Sequence, residues 1–235
     1  MSRGARSGAP LGGRARGAAL AIVLALFAPG PARAAEQAGP PTELSLGLLA
    51  GSTLLDPHLG DYQWDTRPRP DFGALAMLSR GRVRLGLRAW RSATEQRLQL
   101  PGGEVAPSVA ATSLELLAGA RIASFAGAGI SAGVSAGRLR LTWQPDHVTV
   151  DTGAGLSEVT FVPIDEWTLG AGLALERPLA RHWAASASLD RRFFRLDTAH
   201  RSGAGVIDAR ETFGDWSLRL GLSRVFHLGS REALP

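Results

Sequence analysis

The chain has 235 residues with 26 basic and 21 acidic side chains, five histidines and no cysteine, and every basic residue is arginine. The lack of cysteine excludes a disulfide framework, cysteine-ligated metal and thiol catalysis, and 45% apolar with 20% charged residues excludes general disorder. A net charge of +5 raises nucleic-acid binding as a question, which the positions of the arginines answer.

Arg3, Arg6, Arg14 and Arg16 precede an apolar run from Ala18 to Ala28, and Pro29-Gly30-Pro31 leads into Ala32-Arg33-Ala34. A basic segment, a short apolar run and a small-residue cleavage motif predict a secretory signal peptide over 1–34, cut after Ala34. The run is about 11 residues, short of the roughly 20 that a spanning helix needs. A periplasmic linker is expected over 35–41. Five arginines and no acidic residue precede Ala35, which leaves 21 arginines against 21 acidic residues. The basic excess therefore belongs to the leader, the rest holds no clustered basic footprint, and no nucleic-acid partner is expected.

From Thr42 onward bulky apolar residues alternate with small or polar ones, the period of a strand with two unlike faces. Leu44, Leu46, Leu48 and Ala50 form the first apolar face, and Phe72, Ala74, Ala76 and Leu78 the second. Val83, Leu85, Leu87 and Ala89 follow after Ser79-Arg80-Gly81, alternating with Arg84, Gly86, Arg88 and Trp90. Further runs are Leu114 to Ala120, Ala126 to Val134, Trp167 to Leu175, Trp183 to Leu189 and Trp216 to Phe226, giving eight strands. Short connections follow strands two, four and six. Long polar ones span about 54–70, 93–108, 144–160 and 197–211, the asymmetry of periplasmic turns and surface loops in a membrane barrel.

The two faces choose between lipid and water. One is nearly free of charge for about nine residues per strand, close to the 9–11 residues of a tilted membrane strand. The other carries Gly, Ser and Ala with occasional charges and suits a narrow interior, whereas a soluble ligand-binding barrel would be charged outside. The fold class expected is all-β, an eight-stranded antiparallel up-and-down transmembrane barrel over 42–226 with a periplasmic tail over 227–235. A soluble lipocalin-like barrel is the alternative architecture.

Arg219-Leu220-Gly221-Leu222-Ser223-Arg224-Val225-Phe226 follows a polar-x-Gly-x-x-aromatic-x-aromatic pattern at Arg219, Gly221 and Phe226 and departs from it at Arg224. With this segment, the chain over Thr42 to Phe226 resembles the small eight-stranded outer-membrane barrels, the OmpA-like, OmpX-like and opacity-like group. The resemblance implies an outer-membrane, porin-like protein of a Gram-negative cell, with Gly221 and Phe226 read by the barrel-assembly machinery. The long links are expected at the cell surface, and an even strand number puts both mature termini in the periplasm.

Assigning the apolar faces to lipid puts Arg84, Arg88, Arg192 and Arg219 in the lumen with Glu115, Glu176 and Asp190. Isolated buried charges are costly, so pairing is expected, with Arg88 meeting Glu115 and Asp190 meeting Arg219. Eight strands leave room for little beyond side chains, so a plugged interior is expected over a charge-lined pore. Gly127 to Ala132 matches a dinucleotide fingerprint, but alternation continues where that motif needs a helix. Asp56, His58, Asp61 and Asp65, or Asp146, His147 and Asp151, can gather a cation, yet neither follows a known metal spacing. No catalytic, cofactor-binding or metal-binding residue is assigned.

Binding elements concentrate on loops held by a scaffold. In the first long loop Tyr62 and Trp64, flanked by Arg67 and Arg69, are candidates to contact an extracellular ligand or to anchor at the interface. Arg191, Arg192 and Arg195 at the outer end of strand seven are placed to meet lipopolysaccharide phosphates. The function expected is a structural or cell-surface interaction role for a monomer in contact with outer-membrane lipid and lipopolysaccharide. A lipid A-modifying barrel enzyme is the alternative activity, for which His182 would need a nearby serine and carboxylate.

Overall fold

The computed structural model describes residues 42–100, 103–151, 153, 155–202 and 205–228, without the side chains of 199–202 and 205–208. The expected leader, linker and most of the tail lie outside the described residues. Twelve strands run in chain order: β1 (Thr42–Leu55), β2 (Arg69–Arg80), β3 (Val83–Glu95), β4 (Leu98–Leu100), β5 (Gly103–Val105), β6 (Ser108–Phe125), β7 (Ala128–Gln144), β8 (His147–Asp151), β9 (Leu156–Thr160), β10 (Ile164–Ala180), β11 (Trp183–Ser202) and β12 (Gly205–Leu228). Eight of them close into one barrel in the order β1-β12-β11-β10-β7-β6-β3-β2. Every neighbouring pair is antiparallel, so no strand edge of the wall is left unpaired.

Closure has a measurable stagger. Following the register from Leu54 through Trp216, Arg191, Ala171, Val134, Ala118, Leu85 and Leu78 returns to β1 at Leu44, ten residues from the start. A stagger exceeding the strand number requires tilted strands, at about 35–45° to the axis. β12 pairs as far as Leu228 with Thr42, two residues beyond the expected boundary at Phe226.

Two-residue turns close one end. Gly81-Arg82, Ala126-Gly127 and Arg181-His182 link β2 to β3, β6 to β7 and β10 to β11. Ala126 (φ 50°) and Gly127 (φ 79°) both take positive φ, which matches strand twist in a two-residue hairpin. Ala126 and Gly127 thus belong to a turn, not to the strand that alternation alone extends back to Ala126, because the reversal needs both residues left-handed. No helix follows Gly127, so the dinucleotide motif is only a turn and a strand. Both ends of the barrel chain, Thr42 and Leu228, lie at this same end.

At the opposite end the long links carry structure of their own. The first holds a 3-10 helix, Pro57–Tyr62, the second the β4–β5 hairpin and the third the β8–β9 hairpin. The fourth is not a loop. β11 and β12 stay paired out to Ser202 and Gly205, because cross-strand partners such as Arg195–Thr212 and Asp197–Arg210 continue the wall's register.

Burial is inverted relative to a water-soluble barrel. Leu48 (73% exposed), Leu116, Val134, Leu169 and Leu218 face outward, whereas Arg88, Glu115, Arg192, Asp215 and Arg219 are buried. A lipocalin-like barrel requires the opposite. Phe72, Trp167, Phe193 and Trp216 face outward towards the loop end of this apolar belt, and Trp183 and Phe226 towards the turn end.

Candidate functional site: the charge layer across the lumen

Strand alternation points Arg84 and Arg88 of β3, Glu115 of β6, Glu176 of β10, Asp190 and Arg192 of β11 and Arg219 of β12 to the inside, where the structure brings them together. Glu115 is the hub. It accepts from Arg88 Nε at 2.9 Å, Arg88 Nη2 at 2.7 Å and Trp90 Nε1 at 2.7 Å, with Arg192 Nη1 at 3.4 Å. Arg88 Nη1 also donates to Asp190 at 2.8 Å, and Asp190 lies 3.4 Å from Arg219. Arg84 pairs with Glu176 and donates to Ser131 Oγ at 3.0 Å.

Three participants are absent from the sequence expectation. Asp71 accepts from Arg219 Nε at 2.9 Å and Thr53 Oγ1 at 2.6 Å, and Asp215 accepts from Arg192 Nε at 2.8 Å. The Trp90 ring lies 3.8 Å beneath the Arg192 guanidinium, a cation–π contact away from water. A signal existed, since extending the alternation one residue before Phe72 and before Trp216 places Asp71 and Asp215 on the inner face.

Glycines make the layer possible. Gly51 stands opposite Arg219, Gly137 opposite Glu115, Gly170 opposite Arg192 and Gly172 opposite Asp190. A Cβ on Gly51 would come within 2.9 Å of Arg219 Cγ, and one on Gly137 within 2.9 Å of Glu115 Cγ. Arg219, Glu115, Arg192 and Asp190 therefore each lie across a partner-strand position that has no side chain of its own. With the charges paired and the space over these glycines filled by charged side chains, the layer is dense without bulky apolar filler.

Above the charge layer, towards the loops, the interior becomes apolar. Leu59, Val109, Leu139, Leu141, Phe194, Leu196 and Phe213 pack on the upper side of Trp90. Leu59, carried by the 3-10 helix, is 1% exposed and fills the mouth. Below the charge layer, towards the turns, a cavity of about 100 Å³ is lined by Leu49, Met77, Ser131 and Ser186 among others, with Arg84 and Glu176 in its wall.

The loop aromatics are folded inward, not presented, whereas Arg67 beside them is exposed. Tyr62 packs edge-on against Phe213 (5.7 Å between centroids), and its hydroxyl donates to Glu211 at 2.8 Å. Burial is the main force raising the Tyr62 pKa, with the Glu211 carboxylate adding to it. Trp64 meets Trp143 edge-on at 6.3 Å. Both rings are half-buried because the apolar mouth gives them a better environment than water.

Arg67 and Arg69 clamp Asp65 at the rim. Hydrogen bonds from the Arg67 side chain (Nε at 3.0 Å) are the main cause that holds the Asp65 carboxyl well below the usual carboxylate range, with Arg67 N–H and the Arg69 charge adding to it. The folded value lies below the unfolded one, so this stabilisation is complete above about pH 4 and is lost as pH falls further. We expect acidification below pH 4 to loosen the rim by about 1 kcal/mol or less, because Arg67 is exposed. Asp65→Asn should speed amide exchange at Trp64 to Arg67 at neutral pH and abolish the acid dependence.

Arg192 does not reach the outside. Its place on the inner register, between outward Arg191 and Phe193, buries it to 1% exposure against Asp215. Arg191 faces out, 3.7 Å from Asp56 and stacked on Phe193 and Trp216. At the other end Gly221 is paired with Ser186 and Leu49, and Phe226 is outward opposite Leu44 with the Arg224 guanidinium over its ring. His182 sits exposed in the Arg181-His182 turn, whereas Ser186 and Ser188 lie on the inner register of β11. Among the described residues no three His, Asp or Glu side chains gather as metal ligands.

The decisive comparison is with solved structures. The outer membrane protein OprG from Pseudomonas aeruginosa superposes over 80% of this chain and 97% of its own, with 11% identity and a TM-score of 0.50. The chain has the fold of a small outer-membrane β-barrel. Neisserial surface protein A aligns over 79% of this chain and 97% of its own at 10% identity and TM-score 0.49. AlkL, solved by solid-state NMR in DMPC bilayers, aligns over 88% and 98% at 20% identity and TM-score 0.42. No protein-family model matches the sequence, and no curated protein matches it.

Proposed function

We propose that the protein is an integral outer-membrane barrel with a closed lumen, acting as a structural or surface-interaction element and not as a pore or an enzyme. The observation that carries this is the stacking of two closures in one bore: the Arg88–Glu115–Arg192–Asp215 layer and, above it, the apolar plug capped by Leu59. An ion crossing would have to displace paired guanidiniums and then traverse packed apolar side chains, two barriers in series. The outward Leu and Ala belt, with outward aromatics at its two borders, supports lipid contact. In this reading the two-residue turns and both chain ends face the periplasm and the structured links face the exterior. The leader over 1–34 delivers the chain, and Gly221 and Phe226 serve its assembly.

The purified chain in planar bilayers should show no steady channel. Sustained nanosiemens conductance would sink the closed-lumen reading, as would changed lipid A masses on overexpression sink the non-enzymatic one.

A further inference from the structure

Most arginines of the inner wall have carboxylates against them, whereas several on the outer wall do not, and three of these lie side by side. Arg91 of β3, Arg138 of β7 and Arg140 of β7 are exposed, and among the described residues none forms an ion pair. They form one patch. Arg91 is in register with Thr112 of β6, and Thr112 with Arg140, so Arg91 and Arg140 are two strand spacings apart, roughly 10 Å. Arg138 is two residues along β7, about 7 Å away, on the same face. The one carboxylate in register, Asp165 opposite Arg140, does not pair with it. Arg138 is held in place by the outward Trp167 ring, 5.1 Å from its guanidinium carbon.

A second feature lies directly beneath. A shallow apolar groove runs across the same strands towards the turn end, lined by Leu87, Leu116, Ala118, Val134, Ala136 and Leu169 among others. Ala136 is one outward position below Arg138, and Leu116 and Leu87 continue its register row onto β6 and β3. The depression exists because Ala118 and Ala136 stand where neighbouring positions carry Leu or Val.

We propose that this patch is a site for a phosphorylated, acylated lipid, whose phosphates sit on Arg91, Arg138 and Arg140 while an acyl chain lies in the groove. The inference rests on the membrane placement proposed above and adds a ligand site to it. Three unpaired guanidiniums match several phosphate oxygens through charge-assisted hydrogen bonds. An apolar channel starting one outward position below them suits an amphiphile better than a soluble polyanion, and Trp167 marks the interfacial level where phosphates and acyl chains meet.

The test uses the full chain refolded in dodecylmaltoside micelles, with bisphosphorylated lipid A as the probe and the retained adduct read by native mass spectrometry. Arg91→Gln/Arg138→Gln/Arg140→Gln should weaken binding at least about tenfold. Arg82→Gln/Arg97→Gln/Arg210→Gln, which removes equal charge away from the patch, should leave it within about twofold. Ala136→Phe, which fills the groove without changing charge, should also weaken it. Equal binding by the first variant and the wild type, or equal weakening by the two triple variants, overturns the site. A chain that folds in micelles, shown by heat-dependent gel mobility, and fails this test loses the site alone. One that does not fold in micelles loses the membrane placement as well.

Discussion

Replacing Glu115 by Ala is expected to destabilise the barrel by about 3–5 kcal/mol, because it breaks a buried ion pair by removing one partner only. Glu115 is fully buried and accepts from Arg88 and Trp90, with Arg192 at 3.4 Å. Its loss leaves buried guanidinium donors and an indole N–H without the carboxylate that accepted from them. The measurement is the urea midpoint of the heat-dependent gel shift in the refolded chain. The double variant Glu115→Met/Arg88→Met should cost less than the two single changes added together, since neither charge is then left alone. A single variant within about 1 kcal/mol of the wild type would show that water or other side chains substitute for Glu115, and that the layer is not a coupled network.

Leu48→Arg is expected to cost about 2–4 kcal/mol if the belt lies in hydrocarbon. Leu48 is 73% exposed near the middle of β1, with outward Leu222 and Ala74 in register beside it. In water an arginine at such an exposed position would be harmless or would aid solubility, so the sign of the effect separates lipid from water without any assumption about function. The comparison is refolding yield and urea midpoint in bilayers of matched thickness. An unchanged midpoint would count directly against lipid contact at this face.

Much of the fold was legible because a strand's side-chain period is two residues and the two environments differ sharply. Leu44 to Ala50 and Leu114 to Ala120 needed no partner to declare an apolar face, and Arg88 and Glu115 were thereby placed inside. The same rule, carried one residue further, would have included Asp71 and Asp215. It also required Arg192 to face inward, against its grouping with Arg191 and Arg195 as an outer arginine cluster. What alternation does not contain is register. Gly51 opposite Arg219 and Gly137 opposite Glu115 became visible only once strands far apart in sequence were aligned, and so did the patch formed by Arg91, Arg138 and Arg140.

The links show the opposite balance. Their positions were evident from the breaks in alternation, but their fate was not. Tyr62 and Trp64 looked like presented aromatics because their neighbours are charged. The apolar mouth that draws them in is made by Leu139, Phe194 and Phe213, from strands that meet only in the closed barrel.

By itself the sequence determined the number of wall strands, the two faces of the wall, the short-turn and long-link asymmetry and the neutral charge balance after Ala34. These are local properties of period and composition, and one strand suffices to express each. Only the tertiary structure decided which charges pair, that an apolar cluster stacks above the charge layer, that the loop aromatics turn inward and that three outer arginines share one patch. Those properties depend on the ten-residue stagger of the closed ring, and stagger is a relation between strands that no single strand carries.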